Sequence, residues 1–185
     1  MGIAELLIIA VGVSMDAFAV SICKGLAVRQ LRPRHPLTVA MWFGGFQALM
    51  PLLGYFLGVS FADLVGSVDH WITFILLGII GGNMMKSSFT DDCEVVAPDF
   101  SLKTMSAMAV ATSIDALAIG VSFAFLRVNI LEAVLLIGFT TAAFSAAGLL
   151  IGHVFGSRYK TKAEFAGGFI LVAMGFKILI EHLCA

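Results

Sequence analysis

Six apolar stretches, at 3–24, 37–60, 70–87, 104–126, 131–156 and 164–184, alternate along the chain with short polar segments. Each approaches the ~20 residues that an α-helix needs to cross the hydrocarbon core of a bilayer. The pattern predicts an all-α polytopic membrane protein with six transmembrane helices. Two polar positions inside these stretches share one context: Ser14-Met15-Asp16-Ala17-Phe18-Ala19 returns 99 residues later as Ser113-Ile114-Asp115-Ala116-Leu117-Ala118. Between Ile3 and Ile22 the only acidic or basic residues are Glu5, at the edge, and Asp16, near the centre. A carboxylate at that depth costs about 2.5–3.5 kcal/mol on insertion scales, so it is expected to face a partner, a cavity or an ion path.

Helical periodicity puts Gly12, Asp16, Ala19 and Cys23 on one stripe, and Ala111, Asp115, Ala118 and Ser122 on its counterpart. Small residues beside each aspartate allow close helix approach, which would bring the carboxylates together in a protein-lined site. The alternative is that each aspartate only hydrogen-bonds a neighbouring helix. The likeness continues past the first helices: Gly54-Tyr55-Phe56-Leu57-Gly58 with Gly152-His153-Val154-Phe155-Gly156, and Phe74-Ile75-Leu76-Leu77 with Phe169-Ile170-Leu171-Val172, at offsets of 98 and 95. Three helices per copy force the copies to enter the membrane from opposite sides. The expected architecture is therefore two inverted three-helix repeats, 1–89 and 104–185, joined by an acidic cytoplasmic linker at 90–103, in one integrated transmembrane domain.

Composition agrees with that pattern. The 185 residues are 60% hydrophobic and 12% charged, with a mean hydropathy of +1.03, well outside the range of soluble domains. The formal net charge of −1 singles out no partner; the bilayer is the expected surroundings, no nucleic-acid partner is expected, and a homo-oligomer is compatible with the sequence. Met1-Gly2-Ile3-Ala4-Glu5 lacks a basic leader, so the first helix is expected to be retained. Arg29, Arg32 and Arg34 lie in the first loop, Lys86 and Lys103 border the third, and Arg158, Lys160 and Lys162 lie in the fifth. The second loop, with Asp63 and Asp69, has no Lys or Arg and the fourth has only Arg127, which predicts cytoplasmic odd-numbered loops and both termini outside. Cys23, Cys93 and Cys184 are odd in number and far apart, and no disulfide framework is expected.

Further candidate chemistry sits near mid-span. In the second helix Gly44-Gly45-Phe46-Gln47 precedes Pro51. Proline lacks an N–H, so the carbonyl of Gln47 loses its usual partner and could join the Gln47 side chain in coordinating a cation. That reading expects a broken second helix; a simple packing kink is the alternative. Asn83, in the third helix, adds an amide oxygen or an interhelical hydrogen bond. Lys177, in the sixth, is expected to pair with Asp16 or Asp115 when no metal is bound rather than to snorkel. Lys24, His153 and Glu181 lie near helix ends, where an interfacial position suffices. The 90–101 segment, with Asp91, Asp92, Glu94 and Asp99 around Pro98, lacks the spacing of an EF-hand and reads as a solvated linker.

Carboxylates, an amide and a freed carbonyl form a hard-oxygen set suited to Mn²⁺, Mg²⁺ or Ca²⁺. The paired Ser-x-Asp-Ala motifs, with Phe43-Gly44 to Pro51-Leu52-Leu53-Gly54 and His70-Trp71-Ile72 to Gly81-Gly82, resemble the bacterial manganese efflux pump family MntP over essentially the whole chain. The resemblance implies a LysE-related secondary transporter of the plasma membrane, not an enzyme, with no cofactor, exporting Mn²⁺ with Asp16 and Asp115 central. Some members carry Glu at the position of Gln47, which would replace one anionic ligand by a neutral one here. No Walker loop is present, so protons are the expected coupling ion. A LysE-like exporter of cationic amino acids and a passive divalent-cation channel are the rival readings. An intramembrane aspartyl protease is disfavoured, because neither aspartate lies in a Gly-x-Gly-Asp context.

Overall fold

A computed structural model of the chain describes residues 2–28, 30–65, 69–89, 99–155 and 160–183. Asp91, Asp92 and Glu94 of the linker, with Arg29, Cys93, Arg158 and Cys184, fall outside them. The described chain forms seven helices: α1 (Ile3–Ala27), α2 (Arg34–Val65), α3 (Asp69–Ser87), α4 (Leu102–Ala111), α5 (Ile114–Phe125), α6 (Ile130–Phe155) and α7 (Lys160–Leu183). Among the described residues three are long and apolar enough to cross a membrane: α1, α2 from Arg34 to Ser60, and α6. The bent pair α4–α5 makes a fourth, and α3 holds a shorter apolar core, Trp71–Asn83.

Local chemistry sets the ends. Glu5 closes the first turn of α1 by accepting from the Gly2 N–H at 3.0 Å, which satisfies one of the amides a helix start leaves unpaired. Ser101 caps α4 through the Thr104 N–H. The fourth apolar stretch, expected as one helix, is instead broken with a 45° bend between α4 and α5. Thr112 supplies the reason: its hydroxyl donates to the carbonyls of Met108 (3.0 Å) and Ala109 (3.2 Å), folding the end of α4 back on itself. In the first copy the equivalent residue is Val13, which has no hydroxyl, and α1 runs through without interruption. The break expected at Pro51 does not occur. There α2 stays helical, and α5 packs so closely that a Cβ on Gly120 would lie 2.1 Å from the Pro51 carbonyl oxygen.

Backbone-level contacts divide the helices into two bodies. Helix α1 packs on α6, α6 on α2 and α2 on α5, forming a four-helix slab, while α3 packs on α7. In the slab a Cβ on Gly54 would lie 2.0 Å from the Leu117 oxygen, and one on Gly152 2.0 Å from the Ile22 oxygen. At the α2–α6 crossing Gly44 meets Ala142 and Gly138 meets Ala48, each small residue fitting against the other helix. The α3–α7 pair joins the slab through α1 against α7 and α3 against α5.

The buried core runs through both bodies, with Ile9, Val13, Ile119, Phe123, Ile137 and Leu171 almost without exposure. Large apolar side chains cover the outside, among them Met41 (70% exposed), Leu135 (71%) and Phe139 (79%), a distribution suited to lipid rather than water.

Candidate functional site

The site begins with the two motif aspartates. Asp16 lies midway along α1, half-buried, with Gly12 one turn away fitted against Ile170 and Leu171 of α7. Asp115 is in the first turn of α5, created by the break, where the Asp115 and Ala116 N–H groups lie within reach of its carboxylate. A helix start offers free amides and a positive partial charge to an anion. The two aspartates are within electrostatic reach of each other, and Asp115 Oδ2 is buried with no hydrogen-bond partner.

Both line a cavity of about 340 Å³ between α1, α3 and α5, together with Asn83, Ile80 and Ala118. The expected meeting of Asp16, Asp115 and Asn83 is therefore present. The cavity lies where the α3–α7 pair meets the slab. An ion here would find two carboxylates and an amide, supplied by α1, α5 and α3, among aliphatic side chains. Among the described residues no group of three or more His, Cys, Asp or Glu is placed to hold a metal, so amide, backbone or water oxygens would have to complete a coordination shell.

Gln47 does not line that cavity. It is completely buried, and its Nε2 donates to the Val13 oxygen at 3.0 Å, tying α2 to α1 one turn before Asp16, while its Oε1 has no partner. Ser14 and Thr141, both buried, bond each other at 2.8 Å across α1 and α6, whereas the buried Ser113 hydroxyl is unpartnered.

Lys177 is also placed differently from expectation. Its ammonium pairs with Glu5 near the start of α1, and its side chain is 44% exposed, so it reaches the surface rather than an aspartate of the cavity. The reason is register: α1 and α7 run antiparallel, which puts Lys177 more than two turns from the level of Asp16.

Two charged residues carry more than the sequence reading assigned to them. Lys24, expected at an interface, has no exposed surface; its Nζ donates to the Asp99 carbonyl at 2.7 Å and sits 4.5 Å from the Phe100 ring centre. Phe100 stacks in turn on His35 at 4.3 Å, so the residues leading into α4 are clamped between α1 and α2. The Asp99 carboxyl is held below its ordinary range, first by the Ser101 hydroxyl, then by the Ser101 N–H and Thr104, with Lys24 adding attraction. Glu164, in the first turns of α7, is 9% exposed and in electrostatic contact with Asp16. One signal was available: Glu164 is on the same α7 face as Gly168, Leu171, Gly175 and Ile178, at spacings of four and three residues. Cys23 is disulfide-bonded, against the expectation of unlinked thiols.

Comparison with known proteins adds the following. Residues 30–179 match the family described as "Mntp: Putative manganese efflux pump". A protein named putative manganese efflux pump MntP from Acetivibrio thermocellus is 59% identical over 97% of this chain and 91% of its own length. Relatives of the same name from Desulfitobacterium hafniense (55% identical, 99% of this chain and 97% of the relative) and Bifidobacterium adolescentis (56%, 97% and 96%) are similarly close. No solved structure matches.

Proposed function

Because the chain belongs to the MntP family of manganese efflux pumps, we propose that it exports Mn²⁺ from the cytoplasm through the Asp16–Asp115 cavity, by alternating access coupled to proton entry. The observation that carries this reading is the convergence of both aspartates, with Asn83, on one cavity at the junction of two helical bodies. Asp16 and Asp115 are the primary ligands in this reading, Asn83 supplies a neutral oxygen, and Gln47 holds α1 in place from behind. Mn²⁺ is the cargo, and its preference for oxygen ligands matches the donors present.

The contact pattern favours an inverted repeat. Exchanging α1 with α4–α5, α2 with α6 and α3 with α7 turns α1–α6 into α2–α5 and α1–α7 into α3–α5, and leaves α2–α6 and α3–α7 as they are. The close contacts follow the same exchange, since Gly54 on Leu117 corresponds to Gly148 on Phe18, and Gly58 on Val121 to Gly152 on Ile22. This sets the second-helix register four residues from the one suggested by the Gly-x-x-x-Gly match. Six spans follow, with α3 and α7 completing the set. Their outward faces, Ile75 and Ile79 on α3 and Phe169, Phe176 and Ile180 on α7, are apolar enough to meet lipid. The basic loops then face the cytoplasm of a bacterial plasma membrane, and both termini face out.

Export of a divalent cation against an inside-negative potential costs ~4.6 kcal/mol per 100 mV, so a driving ion is required. Two adjacent carboxylates in a poorly hydrated cavity repel one another unless they share a cation or take up protons. Protons from outside would displace Mn²⁺, and Mn²⁺ from inside would displace protons; two protons per ion make the exchange electroneutral. Rocking of the α3–α7 pair against the slab would open the cavity to each side in turn. The test is Mn²⁺ uptake by inside-out proteoliposomes. Accumulation driven by an acid lumen is expected, and uptake indifferent to the proton gradient would overturn the coupling.

A further inference from the structure

We propose that Gln47 and Ser113 are a positioning pair whose hydrogen bond closes when the cavity turns to the other face of the membrane, as that of Ser14 and Thr141 is closed here. It rests on the alternating-access reading of the Asp16–Asp115 cavity and on the exchange of the two copies. Under that exchange Ser14 of α1 corresponds to Ser113 of α5, within the shared motif. Thr141 of α6 corresponds to Gln47 of α2, in the register that pairs Gly148 with Gly54. All four side chains are completely buried. In one copy the bond is made, at 2.8 Å between the Ser14 and Thr141 hydroxyls. In the other it is open: the Ser113 hydroxyl and Gln47 Oε1 have no partner, and the Gln47 amide is turned to the Val13 carbonyl of α1.

The register brings Gln47 and Ser113 to one seam. On α2, Gln47 continues at helical spacing the face of Pro51, Gly54 and Gly58, which lies against α5. On α5, Ser113 is one turn before Leu117, the residue that meets Gly54. The same two intervals, counted from Gly148 and from Phe18, lead to the bonded Thr141 and Ser14 in the other copy. Ser113 stands at the N-cap of α5 but its side chain makes no cap bond. The rest of the molecule is unequal in the same sense. Helix α7 packs along α1 more extensively than α3 along α5, so the α3–α7 pair leans on the helix whose seam bond is closed. In the exchanged arrangement the pair leans on α5, with Gln47–Ser113 closed and Ser14–Thr141 open. A buried polar group left unpaired is costly, so each bond favours one arrangement. Both seams are packed at backbone distance, and the exchange is therefore a rotation of side chains rather than a displacement of helices. Gln47 thereby alternates between α1 and α5, the two helices that carry the aspartates.

The experiment measures half-saturating Mn²⁺ at each face in proteoliposomes of fixed orientation, for Ser14→Ala, Thr141→Val and Ser113→Ala. Tilting a carrier toward one face lowers the half-saturating concentration there and raises it at the other. Loss of one hydrogen bond is expected to move the ratio of the two constants about fivefold. Ser14→Ala and Thr141→Val should move it in one direction and Ser113→Ala in the opposite one, which a merely structural role would not do. Placed in a Gln47→Leu chain, Ser113→Ala should have no further effect. Should Ser113→Ala fail to assemble, Ser113→Gly removes the same hydroxyl and carries the test. Shifts of one sign from both pairs, no shift from the Ser113 variant, or an undiminished shift in the Gln47→Leu chain overturn the pairing. Asp16→Asn in the same vesicles tests the cavity by itself. Transport like the parent's overturns the cavity reading, whereas loss of transport together with shifts of one sign in the serine variants overturns the pairing alone.

Discussion

Asp16 and Asp115 show how a single carboxylate in an apolar helix announces itself. Replacing either by Asn removes a charge with almost no change of volume, so Asp16→Asn and Asp115→Asn are expected to insert normally and lose Mn²⁺ export. Transport in vesicles against expression level checks this. Lys177 is the opposite case. Paired with Glu5 at a half-exposed position, it belongs to the class of ion pairs contributing ~0.2–1 kcal/mol. Lys177→Met should leave the pH profile of transport unchanged, which a proton-flux assay across pH would show. Asp16, Asp115 and Asn83 were legible because each interrupts an otherwise apolar run. Glu164 and Lys24 were not, because a charge near a helix end looks the same whether it turns to the headgroups or into the protein; the difference lies in the face it occupies.

At the level of elements, the long apolar helices could be read from length alone, but the place where one of them breaks could not. Proline at 51 drew attention to the second helix, yet losing one hydrogen bond did not interrupt it once α5 had packed against the gap. Thr112, bonded back to the Met108 and Ala109 carbonyls, broke the fourth stretch with no proline at all. Thr112→Val copies the residue at the equivalent place in α1 and removes the bonds to Met108 and Ala109. It should straighten the α4–α5 junction and slow transport, readable as a lengthened spin-label distance between α4 and α5. The seams give a second expectation. Gly54→Ala places a methyl group 2.0 Å from the Leu117 oxygen, whereas Gly78→Ala meets nothing within 4 Å. The first should lower stability by ~1–3 kcal/mol and the second should leave thermal unfolding in detergent unchanged.

For the whole molecule, the pairing of the two Asp motifs was enough to foresee that α1 and the fourth apolar stretch would share one cavity. It did not foretell the division into slab and pair, since that depends on which glycines find a carbonyl opposite them. A covalent tether between α1 and α7 near Gly12 and Leu171 should stop export, while one between α2 and α6 near Ala48 and Gly138 should not. Transport of cross-linked and reduced vesicles decides between them. The glycine seams also have a consequence in membrane mechanics. Four helices locked at backbone distance form a stiff plate that keeps one profile toward the lipid, so in the proposed alternating-access cycle the shape change would be confined to the perimeter of α3 and α7. Little elastic work is then done on the bilayer in each turnover, and the rate should vary only weakly with acyl-chain length and lateral tension.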